Sequence, residues 1–288
     1  MITFTAFFTS QDPVKVKDYL SYMRWGRKAL EMLVPGSRYV VLTDKESVPF
    51  LDPHFEVAVT APSGIPLMPQ CILAQAEFEK RCQDGLTILA APDCMVSRAD
   101  IYDSIRHPFV VTYRRDLSIN NVGYALDHDL AHWFLMRAHA ELMSVPAGKT
   151  IYIGGGYPKL LDWGGDQEGW KMALGDPELW EQFPGTKVRA APLEREVYLY
   201  PIGTHNHPIR KTGDPKRGSY YAHLLHFKGD RKCYMHNYVM EYIPHWIEKR
   251  EREEEEQRRG KRKCVSPLLD TQDTGEKSLL EPSEAPDT

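Results

Sequence analysis

The segment from His226 to Lys232 combines three residue types that suit a nucleotide's diphosphate. The imidazole of His226 can ligate a divalent metal or donate to an oxyanion, Gly229 lets the backbone approach a phosphate closely, and Lys232 carries a fixed positive charge. These three roles belong together at a diphosphate. A buried histidine followed by an ordinary basic turn is the alternative interpretation, which this segment alone leaves open.

Two aspartates each closely follow an apolar run that is typical of a buried strand. Asp44 comes after Tyr39–Leu42, and Asp93 comes after Leu86–Ala91. Ligands of parallel sheets bind beyond the carboxyl ends of the strands, so we expect both carboxylates at a common crevice. Two acids there indicate a nucleotide site, although an aspartate at a strand end also commonly caps the next turn.

Strand-like and helix-like segments alternate along the chain, which predicts an α/β fold. Apolar and β-branched runs predict strands at Ile2–Phe8, Tyr39–Leu42, Phe55–Val59, Leu86–Ala91, Phe109–Tyr113 and Thr150–Ile153. Capping residues and helical spacing of apolar residues predict helices after Asp12, from Pro69 to Arg81 and from Asp127 to Met143. We therefore expect a mostly parallel central sheet flanked by helices in a single domain.

The composition gives no indication of nucleic-acid binding, membrane attachment, a zinc site or a disulfide framework. The chain has 40 acidic and 36 basic residues, a net charge of −4, which gives no electrostatic argument for nucleic acid or a membrane surface. Its five cysteines form no CxxC pair, so neither a zinc site nor a disulfide framework is indicated and we expect a reducing, cytoplasmic setting. The apolar start Ile2–Phe8 is too short for a membrane anchor and has no basic leader.

Charge and apolar content change abruptly near the carboxyl end. We expect one catalytic domain over residues 1–247, a charged helix extension over 248–263, and a disordered acidic tail over 264–288. The extension has alternating charges without an apolar stripe, which is typical of a solvated helix. The tail is rich in Ser, Pro, Thr, Asp and Glu, with few large apolar residues that could form a core.

Five short segments, taken in order, resemble the motifs of GT-A-type glycosyltransferases, whose fold is a Rossmann-related α/β domain. The nearest pattern is that of the retaining, glycogenin- and galactosyltransferase-like group, and the resemblance covers residues 1 to about 247. The segments are Val41–Asp44, Leu89–Val96, Ile119–Gly123, Trp163–Glu168 and His226–Lys232.

The resemblance implies roles at the nucleoside and sugar ends of a donor. Asp44 would contact the nucleoside, whereas Asn121 and Gly123 would line the donor sugar. Asp166 and Gln167 would lie beside the sugar's reacting carbon. Asp166 is the residue to orient substrate or to act as a base, and Gln167 could present an amide oxygen to an oxocarbenium-like carbon.

The resemblance also implies a diphosphate site. Asp93 and His226 would hold a divalent metal, Mn²⁺ or Mg²⁺, while Lys228, Gly229 and Lys232 would contact the phosphates. Breaking a sugar–nucleotide bond develops negative charge on the leaving diphosphate, which a hard cation held by carboxylate and phosphate oxygens stabilises.

One position departs from the family pattern. Where the family has Asp-x-Asp, this chain has Ala91-Pro92-Asp93, so the first carboxylate is missing. Three outcomes are compatible with this loss. The enzyme could use a metal site with few protein ligands, it could replace the metal with Lys228, Arg231 and Lys232, or it could be an inactive relative that still binds nucleotide.

The resemblance implies a hexosyl- or pentosyltransferase that moves a sugar from a nucleotide diphosphosugar, expected to be a UDP-sugar, to a hydroxyl acceptor with retention. A sugar-nucleotide-binding pseudoenzyme is the alternative. The acceptor is a glycan, a protein, a small molecule or a hydroxylated base in DNA. A DNA acceptor predicts a basic groove, for which the candidates are Arg210, Lys211, Lys216 and Arg217.

Other residues of catalytic type have simpler interpretations. His128 and His132 are four apart on a predicted helix, but no HExxH motif or third ligand accompanies them, which favours a packed or surface pair. Trp163, Trp170 and Trp180 lie near the Asp166–Gln167 pair, where one could stack on a sugar, although tryptophan is ordinarily a packing residue.

Overall fold

A computed structural model describes residues 1–11, 13–113, 119–145, 161, 164–175, 181–182, 188–190, 196–201, 207–209 and 222–264. The chain divides into two compact units, Met1–Pro244 and His245–Thr288. The predicted strand at 150–153 and the residues 265–288 of the predicted tail lie outside the described residues.

Strands and helices alternate in the first part of the first unit, as predicted, whereas its described elements from residue 181 to residue 227 are strands. Its described strands are β1 Ile2–Phe7, β2 Arg38–Thr43, β3 Glu56–Val59, β4 Leu86–Ala90, β5 Cys94–Val96, β6 Phe109–Tyr113, β7 Ile119–Ala125, β8 Glu181–Gln182, β9 Val188–Ala190, β10 Val197–Pro201, β11 His207–Ile209 and β12 Leu224–Phe227. Its described α-helices are α1 Pro13–Leu33, α2 Leu67–Glu79, α3 Ile101–Ser104, α4 His128–Ser144 and α5 Gly165–Leu174.

Most of the strands form one large sheet in the order β3-β2-β1-β4-β7-β6-β10-β9-β8. The first four strands of that order are mutually parallel, and β6 is parallel to β10. β7 runs antiparallel to both of its neighbours, and β9 runs antiparallel to β10. The α/β class with a mostly parallel central sheet is therefore confirmed. The carboxyl ends of β1, β2 and β4 lie side by side.

A small second sheet begins just after the end of β4, because its strand β5 starts four residues after Ala90. Its order is β11-β12-β5, and β12 pairs antiparallel with β5. The pairing sets His226 opposite Cys94, the residue directly after Asp93. The backbone N–H of Phe227 also donates to the Asp93 carbonyl at 2.9 Å. Two distant parts of the chain thus meet where β4 ends.

Helices α2, α4 and α5 pack together against one face of the large sheet. Phe109, Phe134 and Trp170 are fully buried in this core, and the rings of Phe134 and Trp170 meet edge to face. Asp127 caps α4, because its side chain accepts a hydrogen bond from the Leu130 N–H.

Residues 229–264 are helical. A short 3₁₀ turn, Gly229–Tyr234, leads through Met235–Asn237 and a π-helical turn, Tyr238–Tyr242, into α6, Ile243–Cys264. The predicted charged stretch 248–263 lies within α6. The described part of the second unit is a helix with (i, i+4) ion pairs such as Lys249–Glu253 at 3.9 Å. None of the described helices is both long and apolar enough to cross a bilayer.

Gly169 permits the close approach of α5 to α4. A Cβ added at Gly169 would stand 2.8 Å from the Ala138 carbonyl oxygen, which is backbone and cannot rotate away. We expect Gly169→Ala to lower the free energy of unfolding by about 1–3 kcal/mol through overpacking. Urea denaturation measures the change, and Lys171→Ala on the same helix is the control. Equal stability of both variants would contradict this account of the helix contact.

Candidate functional site

Three side chains meet at the carboxyl end of β4 and form what we call the Asp93 site. They are Asp93, His226 and Lys232. The His226 Nε2 atom lies 3.4 Å from Asp93 Oδ1, and the Lys232 ammonium lies 2.9 Å from Asp93 Oδ2. All three side chains are at least partly shielded, and Asp93 and His226 are buried. The residues singled out first in the sequence therefore form one polar group in the folded chain.

Electrostatics favour the ionised form of Asp93. Burial alone would raise the pKa of the Asp93 carboxyl. The nearby His226 and Lys232 lower it by more than burial raises it, so the pKa of Asp93 lies well below its usual range. Burial lowers the pKa of the Lys232 ammonium, but Asp93, together with Tyr19 and Tyr22, raises it by more, so its pKa lies above the usual value. The carboxylate and the ammonium are thus a charged pair at neutral pH.

Two tyrosines of α1 shield Lys232. The Lys232 Nζ atom lies 5.1 Å from the ring centroid of Tyr19 and 5.6 Å from that of Tyr22, within the range of a cation–π contact. The rings leave the charge of Lys232 in place while they cover part of the ammonium. Neither tyrosine was singled out by sequence reasoning, since aromatic residues on an amphipathic helix are ordinarily core residues.

Asp93, Cys94 and His226 could hold a metal ion. One ligand atom from each lies within 4.8 Å of the others, and all three residues are buried. A thiol is a soft ligand that suits zinc or copper, whereas Mg²⁺ and Mn²⁺ prefer oxygen. Only Asp93 and His226 therefore fit the hard metal that the sequence predicts, and further oxygens would have to come from a diphosphate and water.

A second lysine reaches the same end of the sheet. The Lys228 ammonium donates to Asn120 Oδ1 at 3.2 Å, which joins the segment after β12 to strand β7. Sequence reasoning chose Asn121, whose side chain lies outside the described part of the chain, and missed Asn120. Gly229 follows with a φ of +58°, a left-handed conformation that favours glycine, and it begins the turn that carries Lys232.

Asp44 is held firmly at the end of β2. Its carboxylate accepts hydrogen bonds from the Ser47 backbone N–H at 2.7 Å, from Gln70 Nε2 at 2.8 Å and from the Thr9 hydroxyl at 3.1 Å. A carboxylate has about four acceptor positions, so Asp44 keeps little capacity for a ligand's donors. Sequence reasoning missed Thr9 and Gln70. The position of Thr9 just after the apolar strand β1 was an available signal.

Asp44 borders an open cavity of about 380 Å³. The cavity is lined by Thr9, Ser10, Gln11, Asp44, Glu46, Ser47, Ser63, Gly64 and Ile65. The side chains of this lining offer hydroxyl, amide and carboxylate groups. A heterocyclic base with donors and acceptors on its edge is the kind of ligand that such a cavity can bind.

Asp166 and Gln167 lie in the first turn of α5. Asp166 and the nearby Glu168 are buried, and Gln167 is half-buried. Unpaired backbone N–H groups at a helix start favour negative charge, which suits Asp166. Burial raises the pKa of Glu168. Trp163 and Trp180 lie outside the described residues.

Gly123 and Trp170 serve packing. A Cβ on Gly123 would stand 3.3 Å from the Trp170 ring, so the absence of a side chain there is explained by the core. Trp170 is only 1% exposed, which rules it out as a surface for stacking on a sugar.

Comparisons with known proteins give similarity in structure only. No protein-family model and no curated protein matches the chain. The chain is similar to a glycosyltransferase involved in the glycosylation of the major capsid of PBCV-1, at 10% identity and a TM-score of 0.45, over 83% of this chain and 98% of that one.

Two further solved structures are similar to this chain, with comparable sequence identities and TM-scores. The apo form of the glycosyltransferase GlyE of Streptococcus pneumoniae TIGR4 has 10% identity and a TM-score of 0.47, over 86% of this chain and 63% of that one. The galactosyltransferase LgtC, in complex with donor and acceptor sugar analogues, has 12% identity and a TM-score of 0.40, over 80% and 87%. All three of these solved structures are of glycosyltransferases.

The hydrogen bonds to Asp44 can be tested through Gln70. We expect Gln70→Ala to lower the free energy of unfolding by roughly 1.5–3 kcal/mol beyond the loss from side-chain truncation, because a buried carboxylate loses a donor. Gln75→Ala is the matched control, since Gln75 is also buried on α2 and does not contact Asp44. Equal losses in urea denaturation would show that the bond to Asp44 contributes little.

Proposed function

We propose that the chain is a glycosyltransferase that moves a sugar from a nucleotide diphosphosugar to a hydroxyl acceptor. The observation that carries this proposal is the meeting of Asp93, His226 and Lys232 at the end of β4. A carboxylate, an imidazole and an ammonium that converge beyond the carboxyl ends of parallel strands suit a leaving diphosphate.

The donor extends from the cavity beside Asp44 to the Asp93 site. The hydroxyl groups beside Asp44 bind the nucleoside, and Asp44 adds the acceptor capacity that its three internal hydrogen bonds leave. Uridine is the nucleoside that the family resemblance favours. Lys228, Gly229 and Lys232 contact the diphosphate. As the sugar–phosphate bond breaks, Lys232 shares its hydrogen bonds between Asp93 and the phosphate oxygen that gains charge.

The sugar's reacting carbon lies toward α5 in this proposal. Asp166 orients the substrates or accepts the acceptor's proton, and Gln167 offers an amide oxygen to the electron-poor carbon. Asn121 and the backbone of Gly123, on β7, line the donor sugar, as the family resemblance implies. Retention of configuration follows only from the resemblance of the His226–Lys232 segment to the retaining group.

We further propose that a divalent metal, Mn²⁺ or Mg²⁺, joins Asp93 and His226 to the diphosphate. The metal would supply positive charge to the leaving group. Because Ala91 replaces a carboxylate, Asp93 and His226 provide few ligands on their own, so the nucleotide's oxygens complete the site. The cytoplasmic setting stays a prediction from the cysteine pattern.

Two alternatives make different predictions. A pseudoenzyme would bind a sugar nucleotide without turnover, and Ala91 is the residue that favours it. A transferase acting on a hydroxylated DNA base would bind DNA with a steep salt dependence. The basic residues proposed for that groove, Arg210, Lys211, Lys216 and Arg217, lie outside the described residues.

Donor turnover tests the proposed function. We expect the protein to release free sugar slowly from one of several sugar nucleotides, and Lys232→Met to reduce that rate by about 100-fold, since one preorganised charge on the leaving group is lost. Lys28→Met on the exposed face of α1 is the control and should leave the rate unchanged.

The same assay separates the alternatives. Binding of a sugar nucleotide without any sugar release would support the pseudoenzyme and contradict the proposed activity. Full turnover in Lys232→Met, Asp93→Ala and Asp166→Ala would remove the assigned site. DNA binding at low salt that weakens steeply as salt rises would point to DNA as the acceptor.

Metal dependence can be tested by restoring the missing carboxylate. Ala91 is half-buried beside Asp93, so we expect Ala91→Asp to add a hard oxygen ligand and to tighten Mn²⁺ binding at least about tenfold. Titration calorimetry with Mn²⁺, with and without UDP, measures this change. Ala91→Asn, which has the same shape without the charge, is the control.

A chelator completes the metal test. We expect EDTA to abolish donor turnover and added Mn²⁺ to restore it. Turnover that persists in EDTA, together with unchanged Mn²⁺ binding by Ala91→Asp, would contradict the proposed metal and leave the basic residues Lys228, Arg231 and Lys232 as the compensating charge.

A further inference from the structure

Cys94 borders the Asp93 site, and the proposed transfer reaction does not use it. It is the first residue of β5, it directly follows Asp93, and the pairing of β12 with β5 sets it opposite His226. Residues directly opposite each other in paired strands have side chains on the same face of the sheet. Cys94 is therefore a close neighbour of Asp93 and His226, a relation that no cysteine motif in the sequence indicates.

The side chains of Asp93, Cys94 and His226 are spaced like the ligands of one small cation. One ligand atom of each lies within 4.8 Å of the other two. Zinc holds nitrogen and oxygen ligands tetrahedrally at about 2.0–2.2 Å, so two such ligands are about 3.4 Å apart. The His226 Nε2 and Asp93 Oδ1 atoms are 3.4 Å apart. A cation of this kind can therefore bind both atoms without changing their separation.

Asp93 Oδ1 is a buried acceptor without a hydrogen bond. Asp93 is only 7% exposed, and its other oxygen, Oδ2, contacts the Lys232 ammonium at 2.9 Å. None of the described residues makes a hydrogen bond of ordinary geometry to Oδ1. The 3.4 Å to His226 exceeds the length of a charge-assisted hydrogen bond, about 2.7–2.9 Å. A buried polar atom of this kind points to a ligand that the described residues do not supply.

A thiolate would supply the negative charge that the Asp93 site lacks without a nucleotide. In the proposed donor complex, diphosphate oxygens balance the charge of the metal. In the free chain the only carboxylate of the site, Asp93, is already paired with Lys232. The thiolate of Cys94 adds a second negative charge, and sulfur is a soft ligand that favours zinc over Mn²⁺ and Mg²⁺.

Binding of a cation by Cys94 displaces a proton. Burial raises the pKa of the Cys94 thiol, so the free chain carries a neutral thiol at this position. A cysteine ligates a metal as the thiolate, so the proton leaves to solvent when the metal–sulfur bond forms. No oxidant or reductant takes part.

We propose that Asp93, Cys94 and His226 bind Zn²⁺ in the chain that holds no nucleotide. Zn²⁺ and the metal of the proposed transfer reaction share Asp93 and His226, so the two cations exclude each other, and bound zinc blocks the transfer metal. The inference rests on the Asp93 site of the proposed function and does not require sugar transfer.

Cobalt, which takes the place of zinc in sites of this kind, reports the thiolate directly. The full chain is freed of metal with a chelator and is titrated with Co²⁺ without nucleotide. We expect a near-ultraviolet thiolate-to-cobalt absorption band that equimolar Zn²⁺ removes. Cys94→Ser and Cys94→Ala should lose this band, whereas Cys71→Ser should keep it, because Cys71 is also buried and lies outside the ligand group. No band in the parent chain, or a band that persists in the Cys94 variants, would overturn the proposal.

A second variant covers the case in which neither Cys94 variant folds. Replacing Cys82, Cys233 and Cys264 together by serine leaves Cys71 and Cys94 as the only thiols. We expect this triple variant to keep the cobalt band at full intensity. Loss of the band would assign the thiolate to one of the three replaced cysteines and would contradict a site at Cys94.

Calorimetry compares the two kinds of cation. Without nucleotide, we expect Zn²⁺ to bind at least about 100-fold more tightly than Mn²⁺. Cys94→Ala should weaken Zn²⁺ binding at least about tenfold and leave Mn²⁺ binding within about threefold of the parent. Equal affinities of the parent for Zn²⁺ and Mn²⁺, or an unchanged Zn²⁺ affinity in Cys94→Ala, would count against Cys94 as a ligand.

Competition tests whether the two cations share ligands. We expect saturating Zn²⁺ to prevent Mn²⁺ binding, which electron paramagnetic resonance of the free Mn²⁺ measures. Simultaneous binding of both cations would show that the sites are separate. Sugar release plays no part in these measurements. A chain that binds zinc but releases no sugar would contradict the proposed transfer alone, and a chain that releases sugar but binds no zinc would contradict the zinc site alone.

Discussion

The antiparallel pairing of β12 with β5 is the constraint on which the rest of the site depends. It sets His226 opposite Cys94, and Asp93 immediately precedes that strand. A buried carboxylate needs compensating charge, which His226 and Lys232 provide from a distant part of the chain. A shift of one residue in this pairing would turn His226 away, because successive side chains of a strand point to opposite faces.

The large sheet brings Asp44 and Asp93 to the same edge. Parallel β1, β2 and β4 end at one edge, where Thr9, Asp44 and Asp93 follow them. Asp44 is fixed by hydrogen bonds within the protein, whereas Asp93 is fixed by charge. The surroundings of Asp44 thus consist of neutral donors and those of Asp93 of ionised groups, which would suit the nucleoside and the diphosphate of the proposed donor.

The sequence predicted the strands β1, β2, β3, β4 and β6 and the aspartates that follow β2 and β4, because short apolar and β-branched runs have a clear local pattern. It did not predict β5 and β12, whose pairing brings His226 to Asp93, because both are very short. Gln70 was missed because α2 is buried over most of its surface and lacks the amphipathic stripe that would distinguish a polar contact. His128 was expected to be a packed or surface residue, and it is buried. Its partner Glu79 belongs to another helix, so only tertiary packing brings the two together.

The tyrosines that cover Lys232 have an energetic consequence for ligand capture. A free lysine side chain samples many rotamers, and immobilising it on a ligand costs roughly 0.5–1.5 kcal/mol. Here Tyr19, Tyr22 and Asp93 already restrict the chain of Lys232. An anion that binds Lys232, as proposed, would therefore meet an ammonium that is already ordered, and less side-chain entropy would be lost on association.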